Sequence, residues 1–82
     1  MVVNIRSDVR DRLLYVQDLL RTRTEGLTVR EMIDEIYADF GIYVNRKSVY
    51  QDIAAISLYM PIVKEKRGKQ TYFRRMLKED FE

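Results

Sequence analysis

Residues 28–56 read TVREMIDEIYADFGIYVNRKSVYQDIAAI, and the prediction of the fold starts from the turn in the middle of this stretch. Gly41 is followed by only three residues, all apolar, before Asn45. Gly readily takes the left-handed conformation that ends a helix, and Asn is a good residue to cap the start of one. The stretch therefore predicts two helices joined by a short turn, which is typical of a helix-turn-helix.

The second helix of the chain has a strong start signal. Thr28 and Glu31 fit a capping box, in which each side chain accepts a hydrogen bond from the backbone of the other residue. Leu27 and Met32 are spaced to form the hydrophobic staple that accompanies such a box. We predict this helix over about residues 28–40. Its buried face is predicted from the helical spacing of Val29, Ile33, Ile36 and Phe40.

The helices on either side follow from the same periodicity. The third helix is predicted over about residues 45–58, with Asn45 as its N-cap. The first helix is predicted over about residues 7–22, with Ser7 as its N-cap. The core-facing residues of the third helix are Val49, Ile53 and Ile56. Those of the first helix are Val9, Leu13, Val16 and Leu20.

After the third helix the pattern changes from helical to extended. Pro61 stops helical continuation, and two short strands are predicted to form a hairpin over about residues 61–74. Gly68 and Lys69 between the strands suit a two-residue type II′ turn, with Gly at the first central position. The predicted fold is mainly α with a small β-hairpin. It is a winged helix-turn-helix of three helices and a two-stranded wing, followed by a tail over residues 75–82.

The composition allows one domain, residues 1–82, and excludes several classes of protein. The chain has no Cys and no His, so a Ser–His or Cys–His catalytic pair, a disulfide and a carboxylate–His zinc site are impossible. The acidic pairs Asp34-Glu35 and Glu79-Asp80 lack the spacing of a calcium loop. We predict no enzyme, no metal and no cofactor. Because no targeting or membrane-spanning pattern is present, we expect a cytoplasmic protein.

The side of the third helix opposite its core residues carries cations and an amide but no acid. Helical spacing turns Lys47, Gln51 and Ala54 directly outward, and it places the only acid of the helix, Asp52, to one side. Lys and Arg can pair with guanine edges, Gln can pair with adenine, and Ala allows close approach to bases. The candidate DNA-binding residues of this helix are Arg46, Lys47, Ser48, Tyr50 and Gln51.

Positive charge is concentrated in the predicted wing. Six basic residues and one acidic residue lie between Lys64 and Arg75, although the net charge of the chain is only +2. A basic hairpin beside an exposed cationic helix is placed to bind DNA phosphate or the adjacent minor groove. The candidate DNA-binding residues of the wing are Lys64, Lys66, Arg67 and Lys69.

Each of these features also has a simpler interpretation. Exposed helix faces are usually polar, and lysines on a hairpin can protect a sheet edge. Tyr50 could hydrogen-bond a phosphate, pack on a sugar, or be a packed ring with an exposed hydroxyl. Of Tyr72 and Phe73, one is expected to pack against the helices. The remaining tyrosines beside apolar faces are expected to be half-buried, and they are Tyr15, Tyr37, Tyr43 and Tyr59. The joint presence of both basic features favours binding of duplex DNA.

The string NRKSVYQDI, residues 45–53, resembles the recognition helix of DeoR-like winged helix-turn-helix regulators. It is most similar to the N-terminal DNA-binding domains of WYL-domain transcriptional regulators, in which R-K/R-T/S-V/I-Y-R-D-I follows a Gly-containing turn. The resemblance covers about residues 8–82 and implies that residues 46–48, Tyr50 and Gln51 lie where the family contacts DNA. Gln51 departs from the pattern, because the family most often has Arg there. The loss of that cation favours a preference for adenine at this position.

These observations predict sequence-specific binding of double-stranded DNA by a bacterial transcription regulator. The alternative is a winged-helix protein-interaction module that binds an acidic partner through the third helix. A homodimer is expected, because paired half-sites multiply specificity. Helix one, the tail, or a C-terminal sensor domain of the kind found in WYL regulators are its candidate surfaces. The resemblance favours a DNA-binding fragment of a longer regulator over a stand-alone domain.

Overall fold

The computed structural model describes the backbone of residues 5–81 and the side chains of residues 10–80. Three α-helices are followed by an antiparallel β-hairpin and then by a short 3-10 turn. The elements are α1 (Ile5–Thr22), α2 (Val29–Phe40), α3 (Arg46–Ile56), β1 (Ile62–Arg67), β2 (Gln70–Arg75) and the C-terminal turn (Lys78–Phe81). This order confirms the predicted arrangement of three helices and a two-stranded wing.

The start of α2 is held by the predicted capping box. The Thr28 hydroxyl accepts a hydrogen bond from the Glu31 N–H at 3.1 Å, and the Thr28 N–H donates to Glu31 Oε1 at 2.8 Å. Leu27 and Met32, the predicted staple, are both fully buried. The helix ends at Gly41, whose φ of +69° is left-handed. The turn between the two helices therefore begins where the sequence predicts it.

The predicted core faces of α1 and α3 are largely confirmed. Val49, Ile53 and Ile56 of α3 are buried, and Asn45 Oδ1 caps the helix by accepting from the Ser48 N–H at 2.8 Å. On α1, Val16 and Leu20 are buried and Leu13 packs against the core from its edge. The side chain of Val9 lies outside the described residues.

The predicted N-cap of α1 is wrong. The helix begins at Ile5, so Ser7 lies inside it rather than at its cap. A Ser inside a helix is only about 0.5 kcal/mol less favourable than Ala, so it does not stop the backbone from continuing its hydrogen bonding toward the N-terminus.

Four aromatic side chains are more exposed than the sequence predicts, whereas Tyr15 is half-buried as expected. Phe40, predicted to be buried, is 43% exposed and meets the half-buried Tyr15 edge-on at 5.1 Å between ring centroids. Tyr37, Tyr43 and Tyr59 are 59%, 75% and 83% exposed instead of half-buried. The core is filled by aliphatic side chains and Met32, with Phe73 as its single aromatic among the described residues. A domain of this size buries only about 60–65% of the surface of its unfolded chain, and these three tyrosines lie outside the buried cluster.

The hairpin has the predicted turn and is anchored to the helices through β2. Strands β1 and β2 pair from Ile62↔Arg75 to Arg67↔Gln70, which leaves a two-residue loop. Gly68 has a φ of +64°, while no non-Gly residue described has a positive φ, and this is the φ pattern of a type II′ turn. On its other edge, β2 pairs with Leu27, because Leu27 and Phe73 exchange backbone hydrogen bonds of 2.9 and 2.8 Å.

Gly26 allows β2 to approach the loop between α1 and α2. Its φ is +96°, and a Cβ at this position would lie 3.3 Å from the Phe73 carbonyl oxygen. We expect Gly26→Ala to lower the free energy of unfolding by about 1–3 kcal/mol, measured by urea denaturation. Gly41→Ala is the matched control, because Gly41 also has a positive φ but its Cβ would meet nothing within 4 Å. An equal loss in both variants would show that the close approach of β2 is unimportant.

Candidate nucleic-acid interface

The outward side of α3 has the composition that the helical wheel predicts. Lys47, Gln51 and Ala54 are exposed, and Arg46 is exposed in the first turn of the helix. Ser48 and Ala55 flank this surface and are half-buried. Neither Arg46 nor Lys47 has an ion-pair partner within the described part of the chain. We call the exposed surface formed by Arg46, Lys47, Tyr50, Gln51 and Ala54 the α3 face.

Asp52 is buried rather than lying beside the α3 face. It is 3% exposed, and both of its carboxylate oxygens accept hydrogen bonds from Arg12 of α1. The distances are 2.6 Å from Arg12 Nε to Oδ2 and 3.0 Å from Arg12 Nη2 to Oδ1. This hydrogen bonding raises the pKa of Arg12, while burial acts in the opposite direction. The pair joins α1 to α3 and removes the only acid of α3 from solvent.

The sequence contained a signal for this pair that our prediction missed. Asp52 follows Val49 by three residues and precedes Ile53, so helical spacing places it at the edge of the core face. Arg12 has the same relation to Val9 and Leu13 on α1, since it follows Val9 by three residues and precedes Leu13. A charged residue at the core edge of each of two helices can be buried only if it is paired.

Tyr50 is a packed ring, as one of its interpretations predicts, while contact with a phosphate or a sugar stays a prediction. Its ring packs edge-on against Phe73, with 6.1 Å between ring centroids, yet the residue is 45% exposed. The ring therefore links α3 to β2, while part of the side chain remains accessible on the α3 face.

The register of the hairpin separates the wing cations into two groups. Residues paired across two strands share a face, and successive residues alternate between faces. Lys64 pairs with Phe73 and Lys66 pairs with Thr71, so both lysines lie on the face that carries the buried Phe73. Arg67 lies on the opposite face. The sequence prediction grouped these residues without this distinction.

Arg67 is held by three groups within the protein. Its Nε donates to Glu65 Oε1 at 2.7 Å, and its Nη2 donates to the Glu25 carbonyl oxygen at 2.7 Å. Its guanidinium also lies 4.4 Å from the centroid of the Tyr72 ring. Arg67 therefore ties the hairpin to the loop before α2. By contrast, Lys64, Lys66 and Lys69 are exposed and have no ion-pair partner among the residues described.

The C-terminal turn docks on the wing through Arg74, a contact that the sequence did not predict. The Arg74 guanidinium donates to both oxygens of Asp80, at 2.9 and 3.0 Å, and reaches Glu65 Oε2 at 3.5 Å. The hydrogen bond from Arg74, together with one from the Leu77 N–H, lowers the pKa of Asp80 to about 2. Glu65 is thus shared between Arg74 and Arg67, and its pKa is lowered mainly by the hydrogen bond from Arg67.

The depressed pKa of Asp80 predicts how the docking of the turn depends on pH. An acid whose pKa is lower in the folded protein stabilises it above the ordinary pKa, and this contribution disappears as the pH falls through the folded value. With values of 3.8 and about 2, the loss is expected between about pH 4 and pH 2. We expect Asp80→Asn to be less stable than the wild type near pH 6, with a difference that shrinks as the pH falls from about 4 to about 2, as measured by urea denaturation. A constant difference across this range would contradict the assignment.

A groove of about 500 Å³ lies between the start of α2, the start of α3 and the tip of the hairpin. It brings together one cation from each of these places, namely Arg30, Arg46 and Lys69. Sequence reasoning predicted Arg46 and Lys69 as binding residues but missed Arg30. The sequence signal that could have identified Arg30 was its position two residues after the N-cap Thr28, on the side of α2 away from the buried residues.

Comparison of the chain with protein-family models, with curated proteins and with solved structures gives no match. The resemblance to WYL regulators therefore stays a prediction that rests on the residues of the chain. Within residues 5–81, no helix is both long and apolar enough to cross a membrane.

Proposed function

We propose that this protein binds double-stranded DNA in a sequence-specific manner, as the DNA-binding domain of a bacterial transcription regulator. The observation that carries the proposal is the α3 face, on which the cations Arg46 and Lys47 and the amide of Gln51 are exposed without an acid. The burial of Asp52 strengthens this argument, because a carboxylate on that face would repel phosphate. The proposal includes a homodimer that reads paired half-sites.

The dimensions and chemistry of α3 suit the major groove. An α-helix with its side chains is about 10–12 Å in diameter, and the major groove is about 12 Å wide. The eleven residues of α3 provide about 16 Å of helix that can lie in it. Arg46 and Lys47 can donate to the O6 and N7 atoms of guanine, and Gln51 can pair with adenine. Ala54 presents only a methyl group, so the helix can approach the bases closely.

The wing supplies the contacts to the DNA backbone. Lys64, Lys66 and Lys69 are exposed, and their ammonium groups have no ion-pair partner in the described part of the protein. Arg67 is also a proposed phosphate contact, because Nη1 of its guanidinium takes part in no hydrogen bond among the described residues. We assign it a smaller share of the phosphate binding than the lysines have.

The first experiment is selection from a random duplex library at near-physiological salt. We expect an enriched motif that is lost with Lys47→Ala and kept with Arg10→Ala, a charge-matched change at an exposed residue of α1. Retention of duplexes without enrichment would overturn sequence specificity and leave general DNA binding. No retention even at low salt would overturn the proposal as a whole.

The second candidate function is the protein-interaction module that binds an acidic partner. It is favoured by the exposure of Ile42 and Tyr43, which are 45% and 75% exposed in the turn directly before α3. Apolar side chains at this position could extend a protein interface beyond the cationic α3 face. Binding of an acidic protein, without binding of duplex DNA at the same ionic strength, would support this candidate.

The different surroundings of Lys69 and Arg67 lead to a prediction about salt dependence. Loss of one phosphate contact lowers the slope of log affinity against log salt by about 0.9. We expect this change for Lys69→Ala and a smaller one for Arg67→Ala, because Arg67 is already bonded to Glu65 and to the Glu25 carbonyl. Fluorescence anisotropy over a salt series with one duplex measures both slopes. A larger change for Arg67→Ala would show that the ion pair opens when DNA binds.

A further inference from the structure

The groove between α2, α3 and the hairpin tip is lined by cations that have no ion-pair partner among the described residues. Five arginines of the described residues are ion-paired, and they are Arg12, Arg21, Arg23, Arg67 and Arg74. Arg30, Arg46 and Lys69 line the groove, are exposed, and have no such partner in that part of the chain. These three residues come from three separate elements, so their meeting is a product of the fold.

From this geometry we infer that the groove binds a phosphate of the DNA backbone, with Arg30 as a further contact residue beside Arg46 and Lys69. The inference rests on the proposed function. A volume of about 500 Å³ is far larger than one phosphate group, which favours a stretch of nucleic-acid backbone over a free anion. Tyr50 and Thr71 also line the groove, and their hydroxyl groups are donors suited to phosphate oxygens.

The position of the groove agrees with the proposed placement of α3. A recognition helix contacts base edges with its N-terminal residues, and Arg46 is the first residue of α3. The phosphates that border the major groove must then pass beside this end of the helix. The hairpin tip with Lys69 forms another part of the groove lining. A DNA strand crossing here would also meet Arg30 at the start of α2.

Two acidic residues of α2, Glu31 and Asp34, also line the groove, and their negative charge opposes the binding of a phosphate. Removal of such a charge should strengthen DNA binding, which provides a second test. The Glu31 carboxylate is engaged in the capping box, where it accepts from the Thr28 N–H at 2.8 Å. Asp34 has no hydrogen-bond or ion-pair partner among the described side chains, and it lies four residues after Arg30 on the same face of α2. Asp34 therefore repels a phosphate held by Arg30, so its charge limits the affinity of the groove.

The test compares charge changes inside and outside the groove on a short duplex, with affinity measured by anisotropy over a salt series. For Arg30→Gln we expect the salt slope to fall by about 0.9 and the affinity to drop about five- to tenfold at 0.1 M salt. Arg10→Gln makes the same charge change on α1 and is expected to keep the wild-type slope. Thermal unfolding of each variant checks that the fold is unchanged, since both side chains are exposed.

Neutralising an acid in the groove should increase the affinity for duplex DNA. Asp34→Asn is expected to strengthen the binding of every duplex, whereas Asp39→Asn, an equal charge change on a different side of α2, is expected to have a smaller effect. Affinities for Arg30→Gln equal to those for Arg10→Gln, or no gain with Asp34→Asn, would overturn the inference. If the wild type binds DNA and loses binding with Lys47→Ala while Arg30→Gln has no effect, the groove assignment fails and the proposed function stands.

Chemical changes to the DNA show which backbone phosphate the groove contacts. Competition with a free anion then shows whether the groove is specific for the DNA backbone. We expect replacement of one phosphate at a time by a neutral methylphosphonate to weaken wild-type binding, and to do so less for Arg30→Gln at the one position that the groove contacts. Inorganic phosphate is expected to compete no better than chloride at equal ionic strength. Strong competition by inorganic phosphate would instead identify a site for a free anion and overturn the assignment to the DNA backbone.

Discussion

Asp52→Ala is expected to lower the free energy of unfolding by about 3 kcal/mol, the largest effect of any single change to a charged residue described above. The carboxylate is 3% exposed and accepts two hydrogen bonds from Arg12. Its removal leaves the Arg12 guanidinium largely buried beside α3 with no anionic partner. The expected loss lies at the lower end of the range for broken buried pairs because the Arg12 side chain is still 16% exposed. Urea denaturation followed by circular dichroism measures the loss.

A double variant separates the stability of this pair from its role in DNA binding. Replacement of both members of a buried ion pair by apolar residues is often neutral or stabilising, so Arg12→Met with Asp52→Leu is expected to recover most of the stability. If the pair also sets the orientation of α3 on α1, the recovered double variant will still bind the selected duplex more weakly than the wild type. Full recovery of both properties would show that the pair acts on stability alone. A loss of less than about 1 kcal/mol for Asp52→Ala would contradict its assignment as a buried pair.

Gln51→Ala is expected to relax the preference at one base pair of the selected motif, with a loss of about 1–3 kcal/mol of discrimination against the wrong base. Gln51 is exposed at the centre of the α3 face, where its amide can pair with the N6 and N7 atoms of adenine. Loss of that contact should reduce affinity for the best sequence while leaving general binding unchanged. Repeated library selection with the variant measures the preference at every position.

Gln51→Arg and Gln17→Ala complete this test. By the resemblance to WYL regulators, Arg is the common residue at position 51. Gln51→Arg is therefore expected either to change the preferred base to guanine or, if the residue binds phosphate, to raise the salt slope by about 0.9 without changing preference. Gln17→Ala, on α1, should change neither quantity. An unchanged motif with Gln51→Ala, together with an altered motif for a wing variant such as Lys69→Ala, would reverse the roles assigned to α3 and the wing.

The two ends of α2 and the start of α3 were predictable because the interactions that set them are local, whereas α3 ends at Ile56, two residues before its predicted end. The capping box at Thr28 and the cap at Asn45 each join residues three positions apart, and Gly41 ends α2 through its own backbone conformation. The α3 face was predictable for the same reason, since rotation of about 100° per residue assigns sides once the core residues are known. A Gly in a two-residue loop likewise identified the turn of the hairpin.

Side-chain exposure at the ends of elements could not be read from periodicity alone. Phe40 follows the apolar spacing of α2 yet is 43% exposed, because it is the last residue of the helix and the chain leaves the core at Gly41. Tyr37, Tyr43 and Tyr59 are also exposed, because the buried cluster is formed by aliphatic side chains, Met32 and Phe73 instead. A repeating pattern shows which side of a helix faces inward, but it does not show how far along the helix the core extends.

The contacts that shape the candidate interface join residues far apart in the sequence, and they depend on how the elements pack. Arg12 and Asp52 are 40 residues apart, and Arg67 lies 42 residues after the Glu25 carbonyl that it binds. The sequence alone therefore established the elements, the cations and the outward side of α3. Which cations are engaged within the protein, and which ones meet in the groove, was settled by the packing of the three helices and the hairpin. Local spacing sets backbone conformation and side-chain direction, but it carries no information about the partner that an element meets across the core.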